Sequence, residues 1–274
     1  MGQSQTGIVA VPSAADSWTR IVLDTVPAEV TRLSKVKFAV VVDNGTAAIS
    51  VRDAPVFRIF GSGLAEQSPH EYLGMFGGVA VVTDGTMGQE NLITEYDVDI
   101  PVNVAGTLDV QVNTLDEAIT AGTVLYELTF DKTAVSAVNN MSTYTDAAMT
   151  TTADAFAAVG TITIPVSKEG KDPTKIRKIA IGLAPDSGTT AISLRGALRI
   201  RLTGAGIAEG GLHEFVGPSH TIGQVTAGAN TVTRGTYMQE TDIPINAGGQ
   251  IVVEQRLEVE TPTAGTVAVG LLFA

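Results

Sequence analysis

Short runs of alternating apolar and polar residues make up most of the chain, broken by Gly, Pro, Asn and Asp, and no long apolar pattern recurs at helical spacing. That period-two pattern predicts β-strands with one buried face. Thr19–Asp24 (TRIVLD) alternates, whereas Ser34–Val42 (SKVKFAVVV) starts alternating and ends as a continuous β-branched run. Asp43-Asn44-Gly45 follows as a tight-turn signal, because Asn and Gly accept positive φ. Thr46–Val51 and Ala54–Phe60 read as two further strands. Gly61–Gly77 is a Gly-punctuated loop predicted to hold one helical turn around Pro69–Leu73. Gly78–Thr83, Leu92–Ile100, Thr107–Asn113 and Thr123–Phe130 complete a set of eight strands, separated by Asp84-Gly85, Pro101, Ala105-Gly106 and Ala121-Gly122.

The same pattern is written twice. Shifting the chain by 143 positions lays Thr31–Gly74 over Thr174–Gly217 without a gap, with 18 identities in 44 positions. Chance would give about one in fifteen. The same shift lays Asp99–Phe130 over Asp242–Phe273 with 14 identities in 32. AISVRDA meets AISLRGA, HEYLG meets HEFVG, DIPVN meets DIPIN, and TAGTV meets itself. One offset serving both blocks means one unit copied in tandem. The predicted organisation is an N-terminal arm over 1–17, a first unit over 18–131, a linker over 132–160 and a second unit over 161–274. The fold class is all-β: two tandem duplicated eight-stranded β-sandwiches, for which the jelly roll is the eight-stranded form. Strand order is not legible in the sequence, so an immunoglobulin-like sandwich is the alternative. The linker is long for a structureless connection; it either spans two barrels lying side by side or holds a weak helix around Thr145–Ala158.

Composition narrows the function classes. Charged residues are 17% of the chain, hydrophobic ones 44%, aromatics 5%, and there is no cysteine. Disulfides and thiolate metal sites are excluded, and so few charges suggest a surface partly covered by neighbouring copies. A net charge of −12 opposes a broad electrostatic grip on nucleic acid or an anionic membrane. No stretch approaches the roughly 20 apolar residues of a membrane-spanning helix. The first residues lack the basic and apolar regions of a secretory signal. Gly2 with Thr6 fits the short N-myristoylation pattern; a mobile polar arm is the simpler reading.

Candidate chemistry is sparse. Of three histidines, His70 and His213 are the same position in the two copies, each followed by a glutamate (Glu71, Glu214), and the third is His220. A metal site would need three or four ligands, and the His-x-His of two-barrel cupin enzymes is absent. Hydrogen bonds holding the 61–77 loop in shape are the competing role. Asp97, Asp99, Asp109, Asp116 and Glu117 are candidate carboxylates for glycoside hydrolysis or calcium. Only Asp99/Asp242 and Glu117/Glu260 recur unchanged, and Asp97 meets Glu240. Asp99 and Asp242 are expected to be turn acceptors. No nucleophile elbow, phosphate loop or dinucleotide fingerprint occurs. Asn44 and Asn140 begin glycosylation triplets that carry little weight without export. Lys168, Lys171, Lys175, Arg177 and Lys178 form a basic cluster, thinner in the first copy as Arg32, Lys35 and Lys37. It lacks the interleaved aromatics of single-strand binding and reads as a solvated loop rim, with lipid or genome contact as its functional alternative.

Two fused β units without catalytic residues, a cofactor motif or a metal motif resemble the double jelly-roll major capsid proteins of tailless icosahedral double-stranded DNA viruses. The resemblance spans 18–274 and is architectural, without matched motif residues. It implies a non-enzymatic structural virion protein with no cofactor. Its main partner would be itself, as a homotrimer forming pseudo-hexameric capsomers and then a shell. Further partners would be other capsid or membrane-associated virion proteins, without sequence-specific nucleic acid. It implies residence in the virion after assembly in host cytoplasm. The alternative class is a tandem β-sandwich binding module: an adhesin, a carbohydrate binder or a tail-fibre component, using two copies for avidity. Such a module calls for an exposed aromatic platform, and the one Trp, Trp18, has Thr161 as its counterpart.

Overall fold

A computed structural model describes residues 3–10, 17–43, 50–53, 55–66, 69–74, 77–83, 86–89, 92–114, 121–133, 142–166, 172–186, 193–226, 229–232, 235–258 and 264–274. Among them all regular structure is β. In the first half the strands are β1 (Gln3–Ala10), β2 (Thr19–Thr25), β3 (Arg32–Asp43), β4 (Ser50–Asp53), β5 (Pro55–Phe60) and β6 (His70–Leu73). They continue with β7 (Gly77–Thr83), β8 (Thr86–Gln89), β9 (Leu92–Pro101), β10 (Thr107–Thr114) and β11 (Ala121–Asp131). The second half holds β12 (Ser142–Ala148), β13 (Ala157–Thr163), β14 (Lys175–Asp186), β15 (Ser193–Thr203), β16 (His213–Thr226), β17 (Ala229–Val232), β18 (Gly235–Pro244), β19 (Gln250–Glu258) and β20 (Ala264–Phe273).

The hydrogen-bonded order supplies what the sequence left open. In the first barrel, one sheet runs β1-β11-β3-β9 and the other β2-β10-β5-β6. In the second barrel the sheets run β12-β20-β14-β18 and β13-β19-β15-β16-β17. Ranking the eight barrel strands of each half in chain order gives 1-8-3-6 facing 2-7-4-5 both times. That antiparallel order is the jelly roll, and it decides against the immunoglobulin-like alternative. Each barrel has its own core. The first is rich in rings, with Phe38 stacked on Phe57 at 3.8 Å and Tyr72 near Tyr96 at 5.1 Å. The second is almost wholly Ile, Leu and Val.

Small irregularities repeat as faithfully as the strands. The β3–β9 ladder shifts register between Leu33 and Lys35, and the β14–β18 ladder between Ile176 and Lys178, 143 residues on. The isolated bridge Leu64–Val102 has Ile207–Ile245 as its twin. Gly61 and Gly204 share a positive φ, 122° and 116°, where a Cβ would meet a backbone carbonyl oxygen at 2.5 and 2.6 Å. Only glycine fits there, so the identity of these two residues is steric.

Four sequence expectations are corrected. Gln3–Ala10, expected as a mobile arm, is an edge strand paired along β11. Its pattern is weak because its inward side carries Gln3, Gln5 and Gly7, and the missing side chain of Gly7 leaves the space that the Tyr126 ring occupies. The linker contributes Ser142–Ala148 as the equivalent edge strand along β20, and Ala157–Thr163 as β13, in place of a helix. Pro69–Leu73 is not a helical turn: His70–Leu73 pairs with β5. The predicted strands at Thr46–Val51 and Gly78–Thr83 correspond to β4 and β7, which join β8 in a separate three-stranded sheet rather than in the barrel.

Candidate assembly surfaces

The two barrels meet in a head-to-tail contact: the outer strand of one barrel's sheet lies on the outer face of the other's. β6 carries Leu73, which is 1% exposed and sits over β20 where Gly270 has no side chain; a Cβ there would lie 3.3 Å from that of Leu73. Val56, Leu73, Ala180 and Ala268 form the centre of the seam, with Trp18, Tyr144 and Met238 packed around them. Leu272 reaches across into the first barrel's core. The Tyr96 hydroxyl donates to the Leu73 carbonyl at 2.7 Å, tying β6 to β9 inside that core. The remaining void, lined by Tyr72, Leu73, Ser142, Ala180 and Gly270 among others, is about 10 Å³. Small residues on the second barrel thus admit large ones from the first, giving a close-packed joint.

Polar groups border this joint. The Thr143 hydroxyl lies 3.5 Å from Glu71, and Arg58 is 3.9 Å from the same carboxylate. Burial raises the Glu71 carboxyl above its ordinary range, partly offset by Arg58 and Thr143. Tyr144 is pushed up to about 12, first by burial and then by the nearby Asp146 and Glu71 charges. The Arg58 guanidinium covers the Trp18 ring at 4.1 Å, and Tyr144 meets its edge with centroids 6.5 Å apart. Trp18 is therefore a component of the joint, with one face taken by Arg58, and not the open platform a sugar would stack on.

The candidate residues separate. His70 and Glu71 are consecutive on a strand, so their side chains leave opposite faces. His70 is buried, with its Nε2 3.8 Å from Glu66, whereas Glu71 faces the seam. At the twin position Glu209 is exposed and His213 half-buried. Both histidines begin strands rather than lying in loops, and His220 is on β16 opposite Gly196. Among the described residues, no group of three or more His, Asp or Glu is placed to hold a metal.

Asp99 and Asp242 are not turn acceptors. Asp99 accepts from Arg32 at 2.8 Å and Asp242 pairs with Lys175 at 2.7 Å, the same cross-strand ion pair in each barrel. Asp97 and Lys35 at 3.6 Å have their twins in Glu240 and Lys178 at 3.1 Å, and Asp109 is paired with Arg20. Lys175, Arg177 and Lys178 lie on β14, not on a loop rim, and pair with the acids of β18. Gly2, Asn44, Asp116, Glu117, Asn140, Lys168, Lys171 and Glu260 lie outside the described residues.

The seam itself was missed in the sequence, though a signal was present. VAVGLLF (Val267–Phe273) is continuously apolar, and its residues are buried on both faces of β20. Its twin VLYELTF (Val124–Phe130) alternates, and only every second residue is buried. A strand in a barrel wall that loses its alternation has something lying on its outer face.

No family model and no curated protein matches the chain. Solved structures match it in fold. One comes from the atomic structure of Sulfolobus turreted icosahedral virus, at 9% identity and TM-score 0.46, covering 100% of this chain and 90% of that one. The major capsid protein P2 of bacteriophage PM2 is similar at 9% identity and TM-score 0.38, with 98% and 97% covered. PNGF-II is similar at 10% identity and TM-score 0.40, with 93% and 59% covered.

Proposed function

We propose that the chain is a structural virion protein, a major capsid subunit whose three copies set six like barrels around a pseudo-hexagonal capsomer. The observation that carries this reading is the head-to-tail joint between the barrels. A contact that joins the strand edge of one barrel to the sheet face of the next is heterologous, so its components differ and it can be repeated. The first barrel uses its edge and keeps its face; the second uses its face and keeps its edge. Each chain is thereby a pair of like units with one unused half of the contact at either end. Repeating that step closes a ring if the rotation per barrel allows it. Fusing two units makes alternate contacts covalently permanent.

The functional units under this reading are the two jelly rolls, with the strands of 3–131 and 142–273 as their respective complements. The role is structural rather than catalytic, and its setting is the virion, assembled in host cytoplasm. The principal partner is the chain itself, followed by other capsid or membrane-associated virion proteins, with no sequence-specific contact to nucleic acid. Native mass spectrometry and negative-stain microscopy of the purified chain test the proposal. A species of three times the 28.3 kDa chain mass, with hexagonal outline, is expected. Monomers at all salt and protein concentrations would overturn it.

A further inference from the structure

The second barrel's outer edge and the first barrel's outer face are the twins of the two surfaces that already meet inside the chain. Val216, the twin of Leu73, is 69% exposed. Around it stand Arg199, the twin of Val56, and Glu214, the twin of Glu71, paired with each other at 3.4 Å. On the first barrel the twins of Ala180, Ala268 and Gly270 are Lys37, Leu125 and Glu127. An open groove of about 570 Å³ lies at that spot, lined by Thr6, Ile8, Lys37, Ile93, Leu125 and Glu127 among others. Ile8 and Ile93, at its mouth, are 69% and 60% exposed. The groove is bordered by a lattice of ion pairs: Lys35 with Glu95 and Asp97, and Lys37 with Glu95 and Glu127.

We infer that this groove receives the Val216 edge of a second copy of the chain, in the relative orientation with which Leu73 lies over Gly270 within one copy but standing further off, because Glu127 carries a side chain where Gly270 has none. The inference rests on the proposed assembly function and names the residues that would perform it. Transferring the internal contact by its 143-residue offset puts Val216 over Glu127 and between Lys37 and Leu125. Glu214 then faces Lys35, since Glu71 and Lys178 line one seam void. Arg199 falls among Glu95 and Glu127, the twins of Met238 and Gly270, which meet the Val56–Leu73 cluster inside the chain. A basic residue meets acids, and an acid meets a base. The contact is more polar than its internal twin, as befits a surface that is wet before subunits meet.

The absence of native cysteine gives a direct test. In the internal contact the Leu73 Cβ lies 3.3 Å from a Cβ placed on Gly270, and the wider stand-off that the Glu127 side chain requires brings the twin pair towards the spacing of about 3.8 Å between the Cβ atoms of a disulfide. Val216→Cys and Glu127→Cys are placed together on the full-length chain and oxidised after assembly. Bands at two and three times the chain mass on non-reducing gels, lost on reduction, are expected. Mixing the two single variants should give dimers only. A second measurement uses Val216→Asp, expected to abolish the assembled species in native mass spectrometry while leaving the monomer's thermal unfolding unshifted. If the cysteine chain assembles but never crosslinks, a different partner or segment fills the groove and the inference fails, with the assembly function intact. If the unmodified chain never assembles, both fall.

Discussion

β11 and β20 descend from one strand and sit at the same place in the same barrel, yet they face different surroundings. β11 reads Val-Leu-Tyr-Glu-Leu-Thr-Phe and turns Leu125, Glu127 and Thr129 outward, half-buried. β20 reads Val-Ala-Val-Gly-Leu-Leu-Phe and turns Ala268, Gly270 and Leu272 outward, all buried beneath the first barrel. The inward positions changed little: Val, Tyr, Leu and Phe in one, Val, Val, Leu and Phe in the other. After duplication, the core constraint acted equally on both copies and the outer face diverged according to what covers it. The edge strands diverged in the same sense. Leu73 is 1% exposed on β6, and its twin Val216 is 69% exposed on β16.

The comparison breaks most readily at Leu73. Leu73→Ala removes a fully buried side chain from the seam and should cost about 2–5 kcal/mol. Val216→Ala should stay within about 0.5 kcal/mol in the monomer. Urea unfolding of the two variants checks this; equal costs would mean that the seam is not a packed joint. Next in size is Gly270. Gly270→Val places a branched side chain against Leu73 and Ala180, and overpacking of this kind costs about 1–3 kcal/mol. Glu127→Val, at the twin position, should be near neutral for monomer stability. A smaller contrast concerns Arg58, which covers Trp18 and lies near Glu71. Arg58→Ala should lose about 1–2 kcal/mol through the exposed indole and the unbalanced carboxylate. It should also shift the tryptophan emission to the red, a readout that general destabilisation at low temperature would not give.

Much of the fold was written in the chain's period-two pattern, and the places where it was not have physical causes. The 143-residue repeat and the interior strands were plain because buried β-branched residues leave a strong alternation. Edge strands were not. Gln3–Ala10 and Ser142–Ala148 each pair on one side only, and polar residues suffice for much of their length. In β1 the inward space belongs to Tyr126 from the neighbouring strand. His70–Leu73 was hidden by the glycines around it and by its length of four residues. Asp99 and Asp242 were misread because a strand-end aspartate before proline looks like turn chemistry, while the partners Arg32 and Lys175 lie about 67 residues away in sequence. The assembly surfaces were the least legible. They depend on which barrel covers which, and that follows from the difference between two copies rather than from either alone.

The finest contrast lies in the proton balance of the seam. Glu71 is raised by burial, so the folded protein binds its proton more tightly than the unfolded chain does. Between the two pKa values the native state holds more protons, and stability therefore falls as pH rises through that window. Glu71→Gln keeps the shape and the contact with Thr143 but removes the charge. Wild type and variant should have similar melting temperatures at about pH 4, and the variant should draw ahead as pH rises towards about 8. The gain should be small, because the loss of the weak pair with Arg58 at 3.9 Å works against it. A variant that falls behind as pH rises would mean that the Arg58 pair outweighs desolvation, and that the seam is held by charge where its packing suggests a hydrophobic joint.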